Sequence, residues 1–228
     1  MKEPDPAPLH SPVVEALAVS GYLPAVVVVP PATDTPTPVV VVTHGAGGRP
    51  EPHCARYQEL TRGAAFLLCT RGRATNTHLP IEQRGYFYDG HVELGREVLA
   101  ALQALSEHYG NRVDVKDVTF AGYSQGASMG ILFLQQGGAH DAHIHRILLV
   151  EGGSVDWNVA TAEKLKQDGV DKIAIVCGQM SCQEGADRSS LWIRRAGIEV
   201  FSRYANGAGH TVEGRVRPLV DEAWAWLR

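Results

Sequence analysis

Gly122-Tyr123-Ser124-Gln125-Gly126 is the stretch on which the reading of the chain turns. Asp117–Gly122 before it reads as a strand, and Gly126–Gln136 after it reads as a helix closed by Gly137-Gly138. A serine that attacks a carbonyl must stand on a tight turn with no bulk beside it. Gly122 and Gly126 remove that bulk, and the turn forces Ser124 into strained backbone angles. The Gln125 N–H then points at the developing oxyanion from the start of a helix, where unpaired amides and the helix dipole favour negative charge. The competing reading is an ordinary Gly/Ser turn, and the strand-to-helix setting argues against it.

Outward from this turn, the second half of the chain alternates strand and helix. Arg146–Val150, Lys172–Cys177 and Ile198–Tyr204 read as strands, and Val159–Gln167, Ala186–Ala196 and Val212–Leu227 as helices. Upstream, strands are expected at Val13–Val19, Ala25–Val29, Val39–Thr43 and Ala65–Thr70, with a short helix at Ala55–Arg62 and a longer one at Gly90–Tyr109. Val39–Thr43 is apolar throughout, as a strand buried on both faces would be. The pattern predicts an α/β fold with a mostly parallel, doubly wound eight-stranded sheet, whose ligand site lies at the carboxyl ends of the strands. No insertion of cap-domain size lies between Val150 and Lys172, so an open site is expected. A Pro-rich leader over residues 1–12 and a single domain over 13–228 complete the division.

Two further glycine-rich turns lie where that edge is expected. His44-Gly45-Ala46-Gly47-Gly48 follows a strand, and the Ala46 N–H is the candidate second oxyanion donor beside Gln125. His44 reads as a buttress of that turn rather than a base. His210, in Asn206-Gly207-Ala208-Gly209-His210 after the last strand, is the candidate base for Ser124. Residues 71–88 read as a long loop carrying Arg71, Arg84, Tyr86, Phe87 and Tyr88; Tyr86 and Tyr88, with Tyr123, are candidate substrate-binding residues.

In these features the chain resembles the α/β-hydrolases: a strand-elbow-helix with Ser124, the His-Gly turn upstream and a Gly-Ala-Gly-His segment near the end. The resemblance runs from about Val13 to Leu227 and implies a serine hydrolase acting on esters, thioesters or amides through an acyl-enzyme. The elbow Gly-Tyr-Ser-Gln-Gly-Ala is also similar to that of cutinases and acyl-protein thioesterases, over six residues. The family most often places an acid shortly after the penultimate strand, where this chain has Gly178-Gln179-Met180-Ser181-Cys182-Gln183 without a carboxylate. Glu151, at the end of the preceding strand, is the first candidate for the acid, with room for the imidazole left by Gly152 and Gly153. Glu184 and Asp187 are the alternatives, and Asp156 stands behind them. A Glu151 paired with Arg71 or Arg84, shaping the pocket only, is the structural alternative.

The expectation is therefore a carboxylester hydrolase that needs no cofactor and takes a small-molecule or acyl-polymer ester. A peptidase or amidase of the same fold, and a hydrolase fold kept as a binding module, stay open. Of the 228 residues 44% are hydrophobic and 20% charged, which excludes disorder as the main state. The net charge of −4 gives no basic face for a nucleic acid. No apolar run approaches the ~20 residues of a membrane span. The start of the chain lacks the apolar stretch of a signal peptide, so a cytoplasmic protein and an exported one with its signal removed are both open. Of four cysteines, Cys177 and Cys182 flank a short loop and form a candidate pair. His140, His143 and His145 precede a strand, at the edge opposite Ser124, and read as a surface cluster rather than a catalytic metal site.

Overall fold

The computed structural model describes residues 13–155 and 157–228. The Pro-rich leader and Asp156 lie outside them.

In chain order the elements are β1 (Val13–Leu17), β2 (Ala25–Val29), β3 (Thr37–Thr43), α1 (Pro50–Thr61), β4 (Phe66–Cys69), β5 (Arg73–Ala74), β6 (Tyr86–Phe87), α2 (His91–Tyr109), β7 (Val113–Tyr123) and α3 (Gln125–Phe133). They continue with α4 (Ala139–Asp141), β8 (Ile144–Val150), α5 (Val159–Gln167), β9 (Lys172–Cys177), α6 (Met180–Arg195), β10 (Glu199–Tyr204) and α7 (Arg217–Leu227). Eight strands form one sheet in the order β1-β2-β4-β3-β7-β8-β9-β10. β2 runs antiparallel to β1 and β4, and the other neighbours are parallel.

The sheet is covered on both faces, which is why its central strands are apolar without alternation. Leu94, Val98, Ile131, Leu165 and Ile193 bring α2, α3, α5 and α6 onto one face. Tyr57, Val220, Trp224 and Leu227 bring α1 and α7 onto the other. Between β8 and β9 the described residues make a loop and α5. Asn158 caps α5, its side chain accepting from the Thr161 N–H while Thr161 Oγ1 accepts from the Asn158 N–H.

Several boundaries differ from the sequence expectation, each for a local reason. α1 starts at Pro50 rather than Ala55, because a proline in the first turn lacks only an N–H that would have no helical partner. α6 starts at Met180 rather than Ala186. Gly185 looks like a helix breaker but sits inside α6, where a Cβ would stand 2.7 Å from Ser154 Oγ. α7 starts at Arg217 rather than Val212, with Pro218 in its first turn as Pro50 is in that of α1. The stretch 71–88 is not an open loop: β5 and β6 pair as a short antiparallel hairpin, and Tyr86 bridges to Gly48.

Candidate active site

β7 ends at Tyr123, and Ser124 turns the chain into α3 with φ 51° and ψ −117°. An L-residue in that region is strained, and the packing around it holds it there. A Cβ on Gly122 would stand 2.6 Å from the Ala127 Cα, and one on Gly126 would stand 2.6 Å from the His44 carbonyl oxygen. The two glycines therefore allow α3 to start hard against both β7 and the His44 turn. The Ser124 N–H donates to Val150 O at 2.9 Å, which ties the elbow to the end of β8.

His210 arrives on the segment after β10, which reverses through Gly207 (φ 66°) and Gly209 (φ 83°). Its Nε2 lies 2.7 Å from Ser124 Oγ. On the other side of the ring, Nδ1 donates to Gln179 Oε1 at 3.0 Å and lies 3.4 Å from Glu151 Oε2. A hydroxyl and an imidazole nitrogen at this separation can exchange a proton directly.

Glu151 is the first residue beyond β8. It has φ 54°, and its side chain is completely buried. The Gly178 N–H donates to Glu151 Oε1. Burial pushes the Glu151 carboxyl above its ordinary range; the Gly178 N–H, the charge of His210 and the Gln179 N–H oppose this. Gly152 and Gly153 do not make room for the imidazole. A Cβ on Gly152 would collide with Ser124 O, and one on Gly153 would stand 2.9 Å from Ala127 O, so these glycines let the end of β8 pack against the elbow.

The other acids are elsewhere. Glu184 and Asp187 are exposed on α6, and Asp187 accepts from Gln183 Nε2 at 2.6 Å. Arg71 and Arg84 do not reach Glu151. Arg71 pairs with Glu51 at 2.8 Å, and Arg84 donates to the carbonyls of Leu79 and Thr77.

The turn bearing Ala46 is tied to the elbow by the Gly126 N–H, which donates to His44 O at 3.0 Å. Tyr86 O accepts from the Gly47 N–H at 2.8 Å, and the Tyr86 N–H donates to Gly48 O at 2.9 Å. The hairpin is thus the outer support of that turn. Gln125 supports it from the elbow, its Oε1 accepting from the Tyr88 N–H and its Nε2 donating to Tyr88 O. His44 is buried with Nδ1 2.8 Å from Gly45 O and Nε2 2.8 Å from Arg71 O, a buttress position, and burial pushes its pKa down.

Tyr86 and Tyr88, expected as pocket-wall residues, are buried, at 1% and 3% exposure. Tyr86 lies under the Arg71 guanidinium, and Tyr88 stacks on the His44 ring and bonds Thr70. The backbone pairing of the hairpin turns these rings inward. Tyr123 is half-exposed beside the site, its ring 5.4 Å from that of His210, and its Oη donates to His210 O at 3.1 Å.

No family model matches the chain, and no curated protein matches its sequence. Solved structures do match in fold. A dienelactone hydrolase-like promiscuous phosphotriesterase from metagenomic libraries superposes with TM-score 0.68 at 16% identity, over 95% of this chain and 99% of that one. A bacterial heroin esterase gives TM-score 0.67 at 16% identity, over 97% and 86%. Carboxyl esterase 2 of the mycorrhizal fungus Tuber melanosporum gives 0.66 at 13%, over 98% and 87%. The chain has the α/β-hydrolase fold.

On that α/β-hydrolase frame three features of the structure had no clear signal in the sequence. Gln179 bonds His210 although it carries no charge. Cys54 pairs with Cys69 across α1 and β4, Cα–Cα 6.0 Å, as Cys177 pairs with Cys182 at 5.6 Å. His53 lies between the rings of His44 and Tyr123, and burial is the main cause that holds its pKa down at about 4. Among the described residues no group of His, Cys, Asp and Glu is arranged to hold a metal ion; His145 instead faces the carbonyls of Gly169 and Lys116. No helix of the described residues is long and apolar enough to cross a membrane.

Proposed function

We propose that this chain, as one domain over residues 13–228, is a serine hydrolase that cleaves carboxylic esters through an acyl-enzyme on Ser124. The observation that carries the reading is the 2.7 Å contact between His210 Nε2 and the oxygen of a serine held at a strained, glycine-flanked strand end. His210 takes the Ser124 proton as Oγ attacks the ester carbonyl. Charge then develops on the carbonyl oxygen, and the Ala46 and Gln125 N–H groups receive it; the Gly126-to-His44 bond that joins their two turns supports this assignment. His210 next gives its proton to the leaving alcohol, and a water molecule repeats the sequence on the acyl-enzyme. Glu151 faces Nδ1 and stabilises the imidazolium.

A kept-fold binding module would have no use for a serine in strained geometry bonded to an imidazole, and this contact favours an enzyme. The names of the solved neighbours, two of them esterases, favour esters. The absence of a cap-sized insertion after β8 favours soluble esters or acyl groups presented on a polymer, with Tyr123 at the edge of the site. Two disulfides favour an oxidising compartment for the folded protein.

Ser124→Ala should lower kcat on a p-nitrophenyl ester by ~10⁴ or more and abolish labelling by a fluorophosphonate. Covalent labelling that survives in Ser124→Ala would sink the reading. Faster turnover of aminoacyl anilides than of esters would move the activity to amides.

A further inference from the structure

The base has two acceptors on its far side, and the nearer one is uncharged. His210 Nδ1 donates to Gln179 Oε1 at 3.0 Å, while Glu151 Oε2, fully buried, lies farther from the same nitrogen, at 3.4 Å. Gln179 stands just past β9, one strand along from Glu151. Its turn is built around the acid. The Gly178 N–H donates to Glu151 Oε1, the Gln179 N–H also faces that carboxylate, and Gly178 O accepts from the Gly209 N–H at 3.1 Å. One two-residue turn therefore touches the acid, the base and the loop that carries the base.

We propose that Gln179 is a positioning residue for His210: its side-chain oxygen is the nearer acceptor of the Nδ1–H in the resting site, and the more distant Glu151 Oε2 acts most strongly once His210 becomes charged. This rests on the serine-hydrolase reading above. A neutral amide bonds a neutral imidazole well enough to fix its tautomer and ring plane, keeping Nε2 toward Ser124. A carboxylate gains most when the ring is an imidazolium. Interactions that strengthen only as charge develops lower the barrier, whereas those already made in the resting site do not. Dividing the tasks leaves the Glu151 charge to act when Ser124 gives up its proton.

The same geometry makes the two strand ends interchangeable acid positions, and this supplies the test. Four variants are compared on a p-nitrophenyl ester, with circular dichroism for folding and fluorophosphonate labelling for Ser124. Gln179→Ala should lower kcat about 3- to 10-fold with KM unchanged, the loss expected for one hydrogen bond. Glu151→Gln should lose far more. Glu151→Gln combined with Gln179→Glu should recover about tenfold or more over Glu151→Gln alone, because the carboxylate then sits on the acceptor nearer Nδ1. Gln179→Glu alone should move the acid limb of kcat/KM to higher pH, since another negative charge favours the imidazolium. Among the described residues, Glu151 and Tyr123 are the titratable groups already facing the ring.

A purely structural Gln179 would lose stability in Gln179→Ala and show neither rescue nor pH shift, and that result overturns the proposal. An unimpaired Glu151→Gln overturns it as well. Should Gln179→Ala not fold, the near-isosteric Gln179→Glu decides by rescue. Labelling without rescue refutes Gln179 alone, whereas wild-type protein without Ser124-dependent labelling refutes the hydrolase reading and this role with it.

Discussion

The two glycine-rich turns that approach Ser124 are held in opposite ways. The 44–48 turn is pinned on every side: Gly48 donates to Gly45 O, Gly47 donates to Tyr86 O while Gly48 O accepts from the Tyr86 N–H, Gly126 donates to His44 O, and both His44 nitrogens lie against carbonyls. The 205–214 segment is tied by backbone bonds to the end of β9, and by the side chains of Tyr123 and Arg56 to His210 O and Glu213. Ala205 donates to Cys177 O at 2.8 Å and Gly209 to Gly178 O at 3.1 Å, while the His210 side chain is 42% exposed. The contrast follows the proposed chemistry. Donors for an oxyanion work best when nothing has to reorganise as charge appears. A base has to receive a proton from one group and hand it to another, so its support need only fix the ring and its tautomer.

If the far support of His210 is electrostatic, Glu151→Gln should lower kcat by ~10²–10⁴ with KM nearly unchanged. Its effect on stability should have the other sign. The folded-state carboxyl titrates above its ordinary value, chiefly through burial. The fold therefore favours the neutral form, and the favourable contribution present at low pH is lost as pH rises through the folded-state pKa. The amide cannot ionise, so Glu151→Gln should melt higher than wild type at about pH 8, with the gain disappearing at pH values below the ordinary glutamate pKa of about 4.3. Near-wild-type kcat together with a lower melting temperature at alkaline pH would mean that Glu151 serves structure rather than the base.

The pinned turn should be the less tolerant of the two. In Gly126→Ala the new methyl would stand 2.6 Å from His44 O and must separate the two donor turns, so kcat/KM should fall about 10²-fold, the scale of losing one oxyanion donor. In Gly207→Ala the backbone stays left-handed at φ 66°, and the nearest atom outside its chain neighbours is Arg215 Nη2 at 3.8 Å. The strain there is on the order of 1 kcal/mol, so stability should drop slightly and kcat/KM should stay within about fivefold. Steady-state kinetics on both variants reads the contrast, and a larger loss in Gly207→Ala would reverse it.

What the sequence revealed follows the same division. Ser124, the His44 turn and His210 were legible because a tight turn demands glycine, and glycine is visible in one dimension. The alternation of β7 through α7 was legible because period and composition are local. Gln179 carries no signal in the sequence, because an uncharged amide acquires meaning only through its distance to His210. The 71–88 hairpin looks like a loop in the sequence because its strands are two residues each and are held by Gly48, far away in sequence. The inward turn of Tyr86 and Tyr88 follows from that pairing. Cys54 and Cys69 gave no signal because a helix and a buried strand, 15 residues apart, meet only once the sheet has formed.

The smallest effects separate the two disulfides, and with them the frame from the base support. Cys54–Cys69 closes the longer segment, with a sequence separation of 15 against 5 for Cys177–Cys182. On chain-entropy grounds the first contributes about 3 kcal/mol and the second about 2 kcal/mol. Their places in the fold differ more than these numbers do. Cys54–Cys69 joins α1 to β4, and neither residue touches Ser124, His210 or Glu151 in any hydrogen bond or ion pair among the described residues. Cys177–Cys182 brackets Gly178 and Gln179, which carry the bonds to Glu151, to His210 and to the Gly209 N–H. Cys54→Ser with Cys69→Ser should therefore lower the melting temperature more and leave kcat within about twofold. Cys177→Ser with Cys182→Ser should lower the melting temperature less and cut kcat about 3- to 10-fold, since the freed turn no longer holds the Nδ1 acceptors in place. Differential scanning calorimetry and ester kinetics on the two double variants measure both quantities. Loss of kcat in the Cys54/Cys69 variant, with none in the other, would show that the donor turn rather than the β9 end is the sensitive support.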